Sequence, residues 1–83
     1  MKRAFYMEKD CMDNEEIIVK ENFNKLILED FYIYNNGEDV LEIRINNSDE
    51  IIRINNDENY TFNYPVYSCL VIKANSVRYG GVY

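Results

Sequence analysis

Between Phe31 and Asn56 one small pattern occurs three times. Tyr32-Ile33-Tyr34-Asn35-Asn36, Ile43-Arg44-Ile45-Asn46-Asn47 and Ile52-Arg53-Ile54-Asn55-Asn56 are each a run rich in β-branched or aromatic residues, closed by an asparagine pair. Alternate side chains of a strand point to opposite faces, and asparagine tolerates left-handed backbone angles and hydrogen-bonds its own backbone in turns. The repetition therefore predicts a β-meander. Period two sorts the faces: Phe31, Ile33, Leu41, Ile43, Ile45, Ile52 and Ile54 fall on a core side, with Tyr32, Tyr34, Glu42, Arg44 and Arg53 opposite. Asn35-Asn36-Gly37 predicts a tight hairpin turn. Glu42 is expected to pair with Arg53 across neighbouring strands, and Arg44 to belong to the same salt-paired surface beside Glu42 and Glu50.

The flanks continue the same grammar. Lys2 to Met7 alternates enough for an arm or edge strand, Met1 to Met7, and the polar run Glu8 to Glu16 reads as a loop. Ile17-Ile18-Val19 is a β-branched triplet, Glu21-Asn22 a turn, and Leu26-Ile27-Leu28 a further apolar run. Asn24 to Tyr34 reads as strand rather than helix, because two aromatics and two isoleucines precede Asn-Asn-Gly. Tyr60, Phe62 and Tyr64 alternate with Thr61 and Asn63 until Pro65 breaks the ladder. Tyr67 to Ala74 reads as a strand covered on both faces or one at the middle of a sandwich, and Val77 to Tyr79 as one that pairs back after a turn at Asn75-Ser76. The expected fold is all-β: a small antiparallel β-sandwich or jelly-roll-like barrel of about seven to nine short strands, in one domain over residues 1–83.

A chain of 83 residues makes a core of marginal size, so burial against a second subunit is expected and a homo-oligomer is the favoured state. The formal net charge of −6 repels phosphate and anionic lipid, which argues against nucleic acid and membrane as partners. Cys11 and Cys69 are far apart, no CxxC pair occurs and the chain has no histidine, so no zinc or other metal site is expected. Both thiols are expected free in a reducing cytoplasm, a bridge between them being the alternative in an exported particle.

Chemistry is limited by what the sequence lacks. Without histidine, a GxSxG motif or a glycine-rich phosphate loop, no general base, activated nucleophile or phosphate cradle is evident, and an enzyme and a bound cofactor are not expected. The acidic, Asn-rich turns offer hard oxygens, and Asp49 with Asp57 would suit calcium only if their loops lay side by side; solvated turn residues are the simpler account. The tyrosines are the better candidates. Tyr32 and Tyr34 on the outer face, and Tyr60, Tyr64 and Tyr67 around Pro65, form the expected interface set, since tyrosine brings contact area and a polar tip at low entropic cost.

The C-terminal two thirds has a recognisable order: Ile52-Arg53-Ile54-Asn55, a polar turn, an aromatic strand Tyr60 to Pro65, then Leu70-Val71-Ile72-Lys73-Ala74. This order resembles that of small β-sandwich virion proteins of phages from low-GC bacteria, accessory to capsid, tail or baseplate. The resemblance implies a non-enzymatic structural or adhesion protein of the virion, assembled in the host cytoplasm through contacts with itself or other virion proteins. Two rival readings stand beside it. One is an acidic inhibitor that mimics nucleic acid, with Asp10, Asp13, Glu15, Glu16, Asp49, Glu50, Asp57 and Glu58 on one face in place of phosphates. The other is a small carbohydrate-binding module with tyrosines in a flat strip.

Overall fold

The computed structural model describes residues 3–18 and 27–83. The expectations for Met1 and Lys2, Val19, the turn at Glu21-Asn22 and Leu26 lie outside these residues. The described chain is all-β, with eight strands: β1 (Ala4–Cys11), β2 (Glu15–Glu16), β3 (Glu29–Asn35), β4 (Leu41–Ile45), β5 (Ile52–Ile54), β6 (Asn59–Thr61), β7 (Cys69–Val71) and β8 (Asn75–Val82). They form two four-stranded antiparallel sheets, ordered β1-β8-β3-β6 and β2-β7-β4-β5. Within them β1 pairs β8, β2 pairs β7, β3 pairs β6 and β4 pairs β5, so each strand finds the one equally far from the other end of the series. Two further pairings, β3 with β8 and β4 with β7, complete the sheets. This is a long hairpin rolled up on itself, the strand order of a jelly roll.

The meander expected from the asparagine repeats is therefore corrected. Only β4 and β5 are consecutive strands that pair; the other described connections cross between the sheets. Asn35-Asn36-Gly37 closes no hairpin, and Gly37 does not take a positive φ. The span Glu8 to Glu16, read as a loop, supplies the second half of β1 and all of β2, because the period-two alternation continues through its charged residues. Val77 to Tyr79 does not turn back on β7. It belongs to β8, a central strand of the opposite sheet that runs through both glycines.

Which residues face inward was legible from period two. Phe31, Ile33, Leu41, Ile43, Ile45 and Ile54 are buried, and Ile52 packs against them. Because the sheets face each other, one parity rule serves both. At the start of β3 the parity would fail between Leu28 and Phe31, both fully buried. A bulge corrects it: Glu29 opposes Val82 and Tyr32 opposes Gly80, so Asp30 and Phe31 share Gly81, and Asp30 takes φ 52°. A Cβ on Gly81 would come within 2.9 Å of the Glu29 carbonyl oxygen, so the bulge needs glycine opposite it. The core is aromatic at its centre, with Tyr79 6.3 Å from Phe31 and 6.0 Å from Phe5 between ring centroids, and Phe62 5.8 Å from Phe31.

Two asparagines bind the connections together. Asn35 is fully buried. Its amide donates to the main-chain oxygens of Asp39 at 2.8 Å and Ile54 at 2.9 Å, and its Oδ1 accepts from the Gly37 N–H at 3.0 Å. Asn46, in the β4–β5 turn, takes φ 52°. It donates to the Pro65 carbonyl at 3.0 Å and accepts the Tyr67 N–H at 2.8 Å and the Ser68 N–H at 3.3 Å.

Candidate functional site

The outer face of the β1-β8-β3-β6 sheet carries two cross-strand rows set by register. One row is Tyr6, Gly80, Tyr32 and Thr61; the next is Glu8, Arg78, Tyr34 and Asn59. Gly80 has no side chain, and the Tyr32 ring lies over it: a Cβ there would sit 2.8 Å from Tyr32 Cζ and 2.6 Å from its hydroxyl. The ring covers a stretch of backbone that would otherwise be open, the aromatic rescue of a strand glycine. Tyr6, 55% exposed, donates its hydroxyl to Glu8 at 2.8 Å, and Glu8 also accepts from Arg78 Nε at 3.3 Å. The Arg78 guanidinium stands 5.7 Å from the Tyr34 ring centroid, and Tyr34 donates to Asp57 at 2.8 Å. The hydrogen bonds to Glu8 and Asp57 raise the pKa of Tyr6 and Tyr34, so both remain phenols. Tyr32 and Tyr34 thus lie on the outer face, as their alternation predicts. Tyr6 and Arg78 join them there, and the signal for Tyr6 was its parity opposite Phe5 and Met7.

Tyr60, Tyr64 and Tyr67 are elsewhere. Tyr60 pairs directly with Ile33 and so shares its inward side, at the edge of the sheet. The Tyr60 and Phe62 rings are 4.7 Å apart and those of Phe62 and Tyr64 5.6 Å, so two half-exposed tyrosines flank the buried Phe62. Tyr67 is fixed by Asn46, donating its hydroxyl to the Asn46 carbonyl at 3.1 Å. The five tyrosines fall into three places and form no single strip.

Among the described residues no strand pairs with the outer edge of β1, which borders the tyrosine face. The Arg3–Tyr83 pair is doubly hydrogen-bonded, so along the ladder Phe5, Met7, Lys9 and Cys11 bond to β8. The N–H and C=O groups of Ala4, Tyr6, Glu8 and Asp10 point away from β8. At eight residues β1 is the longest edge strand; β2, β5 and β6 have two or three residues each. Its second half carries a guard, Lys9 on the inner side, ion-paired with Glu15 at 2.7 Å. Its first half, Ala4 to Met7, carries no charge.

The outer face of the β2-β7-β4-β5 sheet is polar. Glu42 opposes Arg53 and accepts from its Nε at 3.1 Å, as expected. Arg44 departs from the expectation: among the described residues it forms no ion pair, and its buried Nε has no hydrogen-bond acceptor. It stands in the row Glu16, Leu70, Arg44. The Glu16 carboxylate is turned from it to three other donors, the Ser68 hydroxyl, the Cys69 N–H at 2.8 Å and the Ile18 N–H at 3.0 Å. Around Arg44 lies a pocket of about 220 Å³ lined by Glu16, Asn47, Ser48, Asp49, Ser68 and Leu70.

Cys11 and Cys69 are free thiols, both buried. Burial pushes Cys11 up to about 11 and Cys69 well above the usual thiol value, so neither is a thiolate at neutral pH. Asp49 and Asp57 do not converge, because their turns lie at opposite ends of β5. Among the described residues no three Cys, Asp or Glu side chains cluster to hold a metal ion. Nor do the eight acidic residues share a face: Glu15 faces inward onto Lys9, Glu16 is enclosed by its donors, and the remainder divides between the two ends and β1. No family model, curated protein or solved structure matches this chain.

Proposed function

We propose that the protein is a non-enzymatic structural or adhesion component of a phage or phage-like particle, assembling through protein–protein contacts with itself or with other particle proteins. The observation that carries this reading is the open β1 edge beside an exposed tyrosine. Strand addition along Ala4 to Met7 would give main-chain hydrogen bonds to a neighbour, while Tyr6 and Tyr32 would supply ring contact on the outer face. The jelly-roll order agrees with the pattern of strands in small virion proteins, an argument from fold analogy. Many copies held by modest contacts bind strongly through avidity.

The first measurement is the mass in solution by light scattering, across concentration and salt. A defined oligomer that survives high salt is the expected result. Ala4→Pro should dissociate it, because that N–H lies within the proposed edge and points away from β8, and proline at the first residue of an edge strand blocks an incoming strand without removing a β1–β8 donor. A strict monomer at every concentration, or an oligomer indifferent to Ala4→Pro, contradicts assembly through this edge.

A further inference from the structure

The pocket on the outer face of the β2-β7-β4-β5 sheet holds several polar groups that make no side-chain hydrogen bond among the described residues. Arg44 Nε is buried without an acceptor among the described residues. A buried donor left unmade costs on the order of 1–3 kcal/mol; Nε itself is closed to solvent, so what the guanidinium offers a ligand is its two terminal nitrogens, which carry no hydrogen bond among the described residues. Among the described residues no intramolecular pairing satisfies the guanidinium, since Glu16, two strands away in the same row, is committed to Ser68, Cys69 and Ile18. Around the guanidinium, the Asp49 carboxylate and the Asn47 amide make no side-chain hydrogen bond among the described residues. Ser48 accepts from the Glu50 N–H at 3.1 Å and keeps its own proton to donate. The half-buried Leu70 side chain supplies an apolar floor.

The chemistry of these groups selects the ligand. A carboxylate or phosphate would pair with Arg44 but would sit beside Glu16 and Asp49. An ammonium ion would meet Arg44. A neutral molecule carrying several hydroxyl groups satisfies both signs, accepting from the guanidinium and donating to Asp49, with Asn47 and Ser48 able to do either. The volume of about 220 Å³ lies below the roughly 300 Å³ at which sites for drug-sized ligands begin, and suits one small ring lying on Leu70. We propose that this pocket binds a neutral saccharide unit, with Arg44 as the principal donor and Asp49 as the principal acceptor. The site is on the sheet opposite the tyrosine face and is independent of assembly through β1.

The test is a titration of the isotope-labelled full chain with methyl glucoside, methyl galactoside, methyl mannoside and N-acetylglucosamine, followed by backbone amide shifts, with glucuronate as an acidic control. Saturable shifts centred on Asn47, Ser48, Asp49, Ser68 and Leu70 are expected with at least one neutral sugar. Arg44→Met should weaken binding about tenfold or more, and Arg44→Lys should do nearly the same because it loses the planar fork. Both variants should unfold at the wild-type urea midpoint or above it, since the guanidinium that they replace has no hydrogen-bond or ion-pair partner among the described residues. The proposal is overturned if no neutral sugar gives saturable shifts, if only glucuronate does, if the shifts fall on Tyr6 and Tyr32 instead, or if Arg44→Met binds as the wild type does.

Discussion

Asn35-Asn36 and Asn46-Asn47 close the same kind of strand, yet they do opposite work. Asn46 and Asn47 adopt φ 52° and 60° and turn β4 into β5 within one sheet. Asn35 and Asn36 have no left-handed angle; the chain leaves β3 for the other sheet, and Asn35 is sealed in the interior. One pair turns the chain through left-handed backbone angles, with the Asn46 side chain tying that turn to Pro65, Tyr67 and Ser68; the other acts through a side chain sealed in the core. The difference shows that a strand-plus-asparagine motif marks where a strand ends, while the sheet that receives the next strand is decided by distant partners. For Asn35 those include Ile54, nineteen residues on.

The strongest test of this contrast replaces each asparagine by aspartate. In Asn35→Asp one oxygen can still accept from Gly37, but the other would face the carbonyl oxygens of Asp39 and Ile54. Only the protonated carboxyl can donate there, so its folded-state pKa should rise above the unfolded value. Stability should then be retained below the unfolded carboxylate range, near pH 4, and be lost as pH rises through the folded pKa. At neutral pH the loss should exceed about 4 kcal/mol, between a third and all of what a chain of this length holds at roughly 0.05–0.15 kcal/mol per residue. Asn46→Asp keeps its acceptor toward Tyr67 and Ser68 and should vary far less with pH. Urea unfolding from acid to neutral pH separates the two, and parallel profiles would remove the contrast.

Asn35→Ala comes next. It leaves the Ile54 carbonyl and the Gly37 N–H without their side-chain partner and the Asp39 carbonyl with that of Asn75 alone, for a loss of about 3 kcal/mol. Asn46→Ala should cost about 2 kcal/mol, divided between its left-handed angle and its bonds to the Pro65–Ser68 segment. Asn46→Gly should recover about 1 kcal/mol of that, because glycine removes the backbone part alone. The same exchange at Asn35, alanine to glycine, should recover nothing. Thermal or urea midpoints of the four variants would show whether backbone and side-chain roles divide as the two sites imply.

The faces of the strands were legible for the reason that Asn35's role was not. Period two is local, so Ile33, Leu41, Ile43 and Ile54 could be placed inward, and Glu42 set opposite Arg53, from a few residues each. Sheet membership is not local. Rolling a hairpin into a jelly roll pairs β1 with β8 across the length of the chain, and no short window of sequence records that. The tyrosines were grouped by their nearness in sequence, whereas register joins Tyr32 to Tyr6 through Gly80 and separates both from Tyr67. Arg44 was read as paired because Glu42 and Glu50 are near in sequence. Its neighbours in space are Leu70 and, beyond it, Glu16, whose oxygens Ser68, Cys69 and Ile18 have already claimed.

The third repeat completes the comparison with the smallest effect. Asn55 begins the crossing from β5 to β6, as Asn35 begins that from β3 to β4, so a rule based on topology would make it equally important. Its contacts argue otherwise. Asn55 is exposed, has no left-handed angle, and among the described residues enters hydrogen bonds only through its backbone, donating its N–H to the Glu58 carboxylate at 3.0 Å and accepting the Glu58 N–H at 3.1 Å. Alanine preserves both bonds, so Asn55→Ala should change stability by no more than about 0.5 kcal/mol. Glu58→Ala should cost more, about 1 kcal/mol, because it removes the acceptor of that turn. If Asn55→Ala instead unfolds the protein as Asn35→Ala does, crossing between sheets is itself the demand on asparagine, and burial is not what sets Asn35 apart.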